Sequence, residues 1–380
     1  MGGARAATTD ADLLEAVDKA ATSEAERLRV ATVAGELSGA DAALARLEQS
    51  FTAPLLVEDA ESLRTLYRQG ADTLTPDRRE RLLVRHEWFG QLALAYGKPA
   101  DDALRRGAIR PAVRTVVSAI AAGFLALAAV VTGLVLLIVA AVDRSAGRLR
   151  PAYSPPPPEQ PTVPFLEAFA AYITGMVVIS TAAALLLQRS PAAIWFVVAI
   201  VPFAFFWPLL RGVGRRELRE GLGWTRGRGV AREAIAGVVA YLAGLPVLAA
   251  GVAVSYLLQK LGHAEVTHPL MDEIGRGGWT RTVQLLLLAS VWAPVVEETM
   301  FRGAFYHHLR QRLAWPFAAG IVSLLFAAVH PQGWAAIPAL GAIGFCLCAA
   351  REWRGSIIAP AIAHALNNGA VTVLLVFMVG

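Results

Sequence analysis

The chain has few charged residues for its length. Asp, Glu, Lys and Arg make up only 17% of its 380 residues, whereas soluble domains average about 25%. Hydrophobic residues account for 56% of the chain, and its mean hydropathy is +0.49. This composition excludes an ordinary soluble enzyme and predicts that much of the chain lies in lipid.

Cysteine and lysine are also scarce. The two cysteines, Cys346 and Cys348, stand one residue apart in an apolar run, so they form neither a disulfide framework nor a cysteine-based zinc site. Only 3 of the 35 basic residues are lysine, and the predominance of Arg and Ala is typical of a GC-rich bacterial coding bias. Because the arginines cluster between apolar runs and accompany no nucleic-acid motif, we expect no nucleic-acid partner.

Long apolar runs are abundant, and all of them lie after residue 112. The first, residues 112–142, contains 31 residues with Arg114 as its one charge, which exceeds the roughly 20 residues that span a bilayer. A proline tract at residues 154–158 follows and must be extended. The pattern predicts an all-α, polytopic transmembrane helical bundle of about eight spans, namely 112–142, 165–187, 191–210, 233–258, 283–307, 315–330, 337–350 and 357–379.

Residues 1–110 differ in character and carry 18 of the 30 acidic residues, which predicts a small soluble helical region. Its Thr75–Pro76 pair predicts a helix start, and no basic segment leads into an apolar core, so we expect no secretory signal peptide. We divide the remainder into accessory transmembrane helices at 111–230 and a core at 231–380. The role of the first region stays open between a helical packing unit and a partner-binding module. Its apolar residues recur at helical spacing, as in Leu14, Val17, Ala21, Leu28 and Ala31.

Basic residues in the loops predict which loops share a membrane face. The loops after the first, third, fifth and seventh runs carry 14 Arg or Lys, and the intervening loops carry 4, so we expect the first group to face the cytoplasm. Residues 1–110 would then lie outside, which conflicts with the missing signal peptide and with Arg105, Arg106 and Arg110. Either a long N-terminal tail is translocated or one early run does not cross.

Ionisable groups inside apolar runs indicate a functional site, since each costs several kcal/mol in lipid. In the fifth run Glu298 and Arg302 are four residues apart, so they share a helix face and can neutralise each other. Glu297 points elsewhere without a partner in its own helix, which suits it to general-base chemistry. The sixth and eighth runs add further polar residues, namely Phe326 with His330, and His364 with Asn368.

The hairpin of the fifth and sixth runs predicts that Glu297 and His330 meet. The turn lies around residues 312–316, and both residues stand about 16 residues from its centre, or roughly 25 Å along each helix. His364 lies roughly 15 Å beyond Arg354, which marks the same membrane face. We therefore expect the carboxylate and both imidazoles in one buried cavity.

These residues resemble the motifs of the CPBP family of membrane proteases, also called the CAAX protease and bacteriocin-processing, or Abi, family. The resemblance covers about residues 230–380 and implies an intramembrane endopeptidase. Such an enzyme is similar to the type II CAAX prenyl endopeptidase, which removes the last three residues after a prenylated cysteine. The motifs stand here as Glu297-Glu298-Thr-Met-Phe-Arg302, Phe326-Ala-Ala-Val-His330 and His364-Ala-Leu-Asn367-Asn368.

The resemblance also implies a role for each polar residue. Glu297 and His330 would orient and activate water, and His364 with Asn368 would stabilise the oxyanion. The supporting residues would be Glu298, Arg302 and Phe326.

Metal dependence stays open in the sequence. We favour no metal and no cofactor, because the chain lacks a His-Glu-x-x-His helix. The alternative is zinc or another divalent metal held by Glu297, His330 and His364. The other histidines lie in loops or near the ends of runs, and we interpret them as non-catalytic: His263, His268, His307 and His308.

The substrate is left open by the resemblance, because bacteria generally lack protein prenylation. Bacteriocin maturation, self-immunity and processing of membrane-bound peptides are all compatible. We expect a multi-pass protein of the bacterial cytoplasmic membrane whose partners are the lipid bilayer and a membrane-associated peptide or protein. The alternatives are a non-catalytic scaffold or bacteriocin-immunity protein that keeps the fold, and a transporter that uses the buried Glu as a proton relay. Complete motifs favour the enzyme, and the lack of two similar half-chains disfavours the transporter.

Overall fold

The computed structural model describes residues 9–186, 201–262 and 269–379. Helices make up 81% of the structure, and no strand occurs in these ranges. The prediction of an all-α fold is therefore confirmed. The chain forms two compact units, residues 1–124 and 125–380.

The first unit begins with six helices. Apolar residues recur at helical spacing from Leu14 to Ala31, but this segment forms two helices. The second helix begins after Ser23, whose hydroxyl accepts the Glu26 N–H as an N-cap. Leu28 and Ala31 are fully buried in the core of this unit. The helices are α1 Asp10–Ala20, α2 Glu24–Ser38, α3 Ala40–Leu47, α4 Pro54–Gln69, α5 Pro76–His86 and α6 Trp88–Leu94.

The predicted helix start at Thr75–Pro76 is confirmed, because α5 begins at Pro76 with Thr75 in extended backbone before it. Proline suits this first position, since the N–H that it lacks would have no partner within the helix. The next helix, α7 Ala103–Ser145, starts nine residues before the predicted boundary at residue 112. Its start is set by Asp102, whose carboxylate accepts the Leu104 N–H at 2.8 Å.

Helix α7 has 43 residues and is therefore roughly 64 Å long at 1.5 Å per residue. The hydrocarbon core of a bilayer is only about 30 Å thick. A helix of this length can cross the bilayer with one part and extend beyond it with the rest, continuing through Pro111.

The second unit is built from α8 to α15 together with the end of α7. A helical segment that begins at Pro269 is broken at Gly278, whose φ of +63° lies outside the helical region, and a long helix starts there. The helices are α8 Val163–Leu186, α9 Trp207–Leu210, α10 Arg215–Gly221, α11 Val230–Gly262, α12 Gly278–Arg310, α13 Trp315–Ala328, α14 Ile337–Arg354 and α15 Ile358–Val379.

Five helices in the described ranges are long and apolar enough to cross a membrane, which makes the chain a multi-pass membrane protein. Two predicted spans correspond to shorter apolar helices, Val163–Val178 and Trp315–Ala328. The predicted span at 191–210 lies partly outside the described residues. The count of about eight spans therefore stays a prediction. The five long helices are Ala103–Ser145, Val230–Gly262, Gly278–Arg310, Trp334–Arg354 and Ile358–Phe377.

Small residues allow α11 to pack closely on α14 and α15. A Cβ atom on Gly237 would lie 2.7 Å from the Ala359 carbonyl oxygen, and one on Gly251 would lie 2.7 Å from the Pro338 carbonyl oxygen. Neither position has room for a larger side chain. Close helix contact through glycine is common inside membranes, where no hydrophobic effect drives helices together.

The loops that follow α7, α10, α12 and α14 lie together at one end of the second unit. The Gln311 amide donates to the Pro157 carbonyl at 2.8 Å, and the Ile357 N–H donates to the Gly223 carbonyl at 3.1 Å. These are the loops that the Arg and Lys counts assigned to one face. Their contacts support a shared face, and its cytoplasmic location stays a prediction.

We expect a cysteine that replaces Arg226, in a background with Cys346 and Cys348 changed to Ser, to resist a membrane-impermeant thiol reagent in intact cells. The physical reason is that the arginine-rich loops stay on the cytoplasmic face. The same residue should react after permeabilisation. A cysteine at Lys260, near the opposite end of α11, should react in intact cells and provides the control. The reverse labelling pattern would overturn the assignment of faces.

Candidate active site

An ion pair lies buried in the middle of α12. The Arg302 guanidinium donates to Glu298 Oε1 at 2.8 Å, and both side chains are 0% exposed. A second guanidinium nitrogen donates to the Gly344 carbonyl of α14 at 3.0 Å. The predicted pairing across one helical turn is therefore present, and it also ties α12 to α14.

The Phe326 ring covers this ion pair from α13. Its centroid lies 4.5 Å from the Arg302 guanidinium carbon and 5.2 Å from the Phe301 centroid. A desolvated guanidinium over an aromatic face gains a favourable cation–π interaction. Phe301 and Phe326 are centred on the same point of the chain as Glu297 and His330. Their ring contact therefore shows that α12 and α13 pack in the predicted hairpin register.

His364 of α15 lies between the two carboxylates. Its Nδ1 is 2.9 Å from Glu298 Oε1, and its Nε2 is 3.9 Å from Glu297 Oε2. The first distance is a hydrogen bond, whereas the second is too long for one. The Glu298 carboxylate therefore orients the imidazole and directs Nε2 at Glu297.

Charge balance in this cluster leaves one proton to be placed. Glu298 is paired with Arg302, whereas the Glu297 side chain is 21% exposed and its buried Oε2 has no hydrogen-bond partner among the described residues. Two carboxylates and one guanidinium carry one net negative charge, which is costly in a low-dielectric span. One further proton, held by Glu297 or by His364, makes the cluster neutral.

His330 lies directly after α13, beside the Phe326 ring. Its Nδ1 is 2.6 Å from the Phe326 carbonyl oxygen, and the two ring centroids are 4.4 Å apart. Within the described residues His330 forms no hydrogen bond or ion pair with Glu297. The Phe326 ring is also 5.7 Å from the His364 ring, so it connects both imidazoles. Direct cooperation of Glu297 and His330 stays a prediction.

Asn368 of α15 contacts the backbone of α12 at a π-helical turn, Leu288–Trp292. In this turn the Ala293 N–H donates to Leu288, five residues earlier. The next donor in the same pattern would be Pro294, which has no N–H, so the Ala289 carbonyl loses its helical partner. The Asn368 amide donates to that carbonyl at 2.9 Å. The sequence suggested an oxyanion donor here and missed this backbone contact.

Sequence reasoning also missed residues that surround the cluster from outside the motifs. The buried Tyr172 of α8 packs edge-on against the Phe301 ring of α12, with ring centroids 6.2 Å apart. Trp224 donates its indole N–H to the Thr299 hydroxyl at 3.1 Å, next to the ion pair. No sequence signal distinguishes Tyr172 from other aromatic residues in apolar runs.

The alternative ligand set for a metal consists of Glu297, His330 and His364. The described residues contain no group of three or more His, Cys, Asp or Glu side chains placed to hold a metal ion. Nδ1 of His330 and Nδ1 of His364 contact Phe326 and Glu298, which leaves Nε2 as the open nitrogen of each imidazole. Metal dependence therefore stays a prediction, and we derive no chemistry through a metal.

The fold and the site together define a class, a multi-pass helical membrane protein with a buried acid–base cluster. Residues 279–370 match the protein family described as type II CAAX prenyl endopeptidase Rce1-like. This region contains every residue of the cluster on α12 to α15. The predicted relationship to the CAAX proteases is confirmed for these residues.

A further comparison gives a relative of unknown role. The chain is 33% identical over 129 residues to an uncharacterized 24.3 kDa protein of Escherichia coli. The alignment covers 32% of this chain and 59% of that protein, so the chain spans little more than half of its relative. No solved structure matches the chain significantly.

We expect Glu298→Gln to lower the free energy of unfolding by about 3–5 kcal/mol, because it leaves the buried Arg302 without a counter-ion. Glu297→Gln should change stability little, since Glu297 forms no ion pair with an arginine. Thermal unfolding of the purified variants in detergent measures the difference, with the exposed Glu61→Gln as a control. Equal losses for Glu297→Gln and Glu298→Gln would contradict the division of roles.

Proposed function

We propose that the chain is an intramembrane endopeptidase that hydrolyses a peptide bond of a membrane-associated substrate with water activated by Glu297. The observation that carries this proposal is the position of His364, held by Glu298 with its second nitrogen directed at Glu297. This geometry provides a free carboxylate next to an oriented imidazole, which is an acid–base pair in a desolvated site. The Rce1-like match of residues 279–370 supports the same reaction class.

Glu297 is the base in this mechanism because it is the carboxylate that no arginine neutralises. It removes a proton from water as the water oxygen attacks the carbonyl carbon of the substrate. His330 orients the same water: its Nδ1–H donates to the Phe326 carbonyl, so a neutral imidazole keeps a lone pair on Nε2. That lone pair accepts a hydrogen bond from water.

His364 stabilises the developing oxyanion in its doubly protonated form. Nδ1–H stays on Glu298 while Nε2–H donates to the substrate oxygen. The neutral charge state of the cluster is then Glu297 ionised and His364 protonated, which is the state that the reaction needs. Asn368 uses one amide hydrogen on the Ala289 carbonyl and offers the other to the oxyanion. The proton taken by Glu297 passes to the departing amine, and a carboxylate and an amine result.

We infer a membrane peptide or protein as the substrate, because the site lies among helices that cross the bilayer. The cytoplasmic membrane of a bacterium is the location that the composition favours. Prenylated, acylated and unmodified peptides all remain candidates within this class.

We expect Glu297→Gln to abolish cleavage while the protein stays folded and inserted, because the change removes the base at nearly constant volume. Loss of a general base lowers a rate by about 10²–10⁴-fold. The full chain would be reconstituted in vesicles with a library of lipidated and unmodified peptides, and products would be identified by mass spectrometry.

The matched control for this experiment is Glu61→Gln, a substitution at an exposed site in the first unit. This variant should cleave the same peptides as the wild type. Undiminished cleavage by Glu297→Gln would overturn the assigned base. A wild-type protein that cleaves nothing in the library would favour the non-catalytic scaffold over the enzyme.

We further expect cleavage to be insensitive to metal chelators, because in this mechanism both nitrogens of His364 carry N–H groups that act as hydrogen-bond donors. Metal ligation by the same nitrogens would forbid that use. Activity would be measured before and after dialysis against a chelator, and bound zinc would be quantified in the purified protein. Stoichiometric zinc, with activity lost on chelation and restored by zinc, would contradict the metal-free mechanism.

A further inference from the structure

A second buried polar site lies in the loop end of the second unit, separate from the Glu297 cluster. It is a cavity of about 320 Å³. The extended segment 152–157 forms one wall, and the start of loop 221–225 forms another. Two side chains from the ends of α12 and α14, His307 and Arg351, also line it, together with Gln160, Glu220 and Gly355.

Arg351 brings a buried positive charge to this cavity. Its side chain is 0% exposed and stacks on the Tyr153 ring at 4.8 Å. The guanidinium donates to backbone carbonyls, among them those of Arg302 and Gly221 at 3.3 Å each and that of Gly355. Carbonyl groups satisfy its hydrogen-bonding capacity but carry no net charge. Within the described ranges no carboxylate forms an ion pair with Arg351.

The nearest carboxylates are committed to other partners. Glu352 Oε1 accepts from the Arg310 guanidinium at 2.5 Å and from the Tyr306 hydroxyl at 2.8 Å. Glu220 lies at the exposed rim, where it pairs with Arg216 at 2.8 Å. Arg310 and Arg351 thus share the single carboxylate of Glu352, so the three side chains keep one net positive charge, which is costly in a buried site unless an anion balances it.

His307 supplies a free hydrogen-bond donor beside this charge. Its side chain is 5% exposed, and its Nδ1 lies 3.0 Å from the Tyr153 hydroxyl. Burial raises the pKa of Tyr153 to about 12, so the hydroxyl stays protonated and is able to donate to Nδ1. Nε2 has no partner among the described residues, and in the tautomer in which Nδ1 accepts from Tyr153 it is Nε2 that carries the imidazole proton. A Cβ atom on Gly221, a residue of the cavity lining, would lie 3.2 Å from this Nε2.

We propose that this cavity binds a phosphate-type oxyanion, either free phosphate or the phosphate of an anionic lipid headgroup. Arg351 would balance the negative charge and His307 Nε2–H would donate to one of its oxygens. The cavity lies among the arginine-rich loops, at the level where lipid headgroups meet a membrane protein, so both sources reach it. The proline tract keeps one wall stiff. This site does not depend on the proposed proteolysis.

The proposal is tested by thermal unfolding of the full chain in non-ionic detergent. Sodium phosphate is compared with sodium chloride at equal ionic strength and pH, and micelles containing phosphatidic acid are compared with micelles containing phosphatidylcholine. We expect phosphate or phosphatidic acid to raise the unfolding temperature of the wild type above its reference. Stabilisation by phosphatidic acid alone identifies a lipid headgroup, and stabilisation by free phosphate alone identifies a soluble ligand.

Two variants locate the effect. Arg351→Gln should abolish the stabilisation, and His307→Phe should weaken phosphate binding by roughly tenfold, the value of about one charge-assisted hydrogen bond. Arg215→Gln removes an exposed arginine of α10 that is not part of the cavity lining and should leave the effect unchanged, which controls for surface charge. If Arg351→Gln does not fold, the comparison of His307→Phe with Arg215→Gln decides.

The proposal is overturned if neither ligand stabilises the wild type beyond its reference. It is also overturned if Arg215→Gln loses as much of the effect as Arg351→Gln or His307→Phe, because the anion would then bind to surface charge.

Discussion

The cost of a charge inside a low-dielectric membrane span is the constraint on which the second unit depends. The charge of Arg302 is compensated by Glu298 on its own helix, by the Gly344 carbonyl on α14 and by the Phe326 ring on α13. His364 on α15 then bonds to the same carboxylate oxygen. Four helices converge on one ion pair because its guanidinium needs compensation, and Glu297 is left outside this network.

Backbone hydrogen bonding imposes the second constraint, since no water in the bilayer core can replace a lost helical bond. Pro294 removes one donor from α12, close to Glu297. The helix responds with a π-helical turn, and the Asn368 amide satisfies the Ala289 carbonyl. The widened turn sits one turn of helix before the two glutamates, and irregular helix turns of this kind are frequent at functional sites. The hydrogen bond from Asn368 to the unpaired Ala289 carbonyl also holds α15, and with it His364, against α12.

Arg302 and Arg351 are both buried in this unit, and different neighbouring groups compensate the charge of each. Arg302 has a carboxylate four residues away, whereas Arg351 has only carbonyls and the Tyr153 ring. The two sites are distinct but adjacent, because Arg351 donates to the carbonyl of Arg302.

The sequence by itself determined the helical class, the long apolar helices, the Glu298–Arg302 pair and the hairpin register, because each follows from a local period or a distance along one chain segment. Only the tertiary structure decided that His364 bonds to Glu298, that Asn368 serves the Ala289 carbonyl and that His307 and Arg351 share a cavity. Such contacts join helices far apart in the chain. They depend on how those helices rotate and pack, which no local pattern of residues encodes.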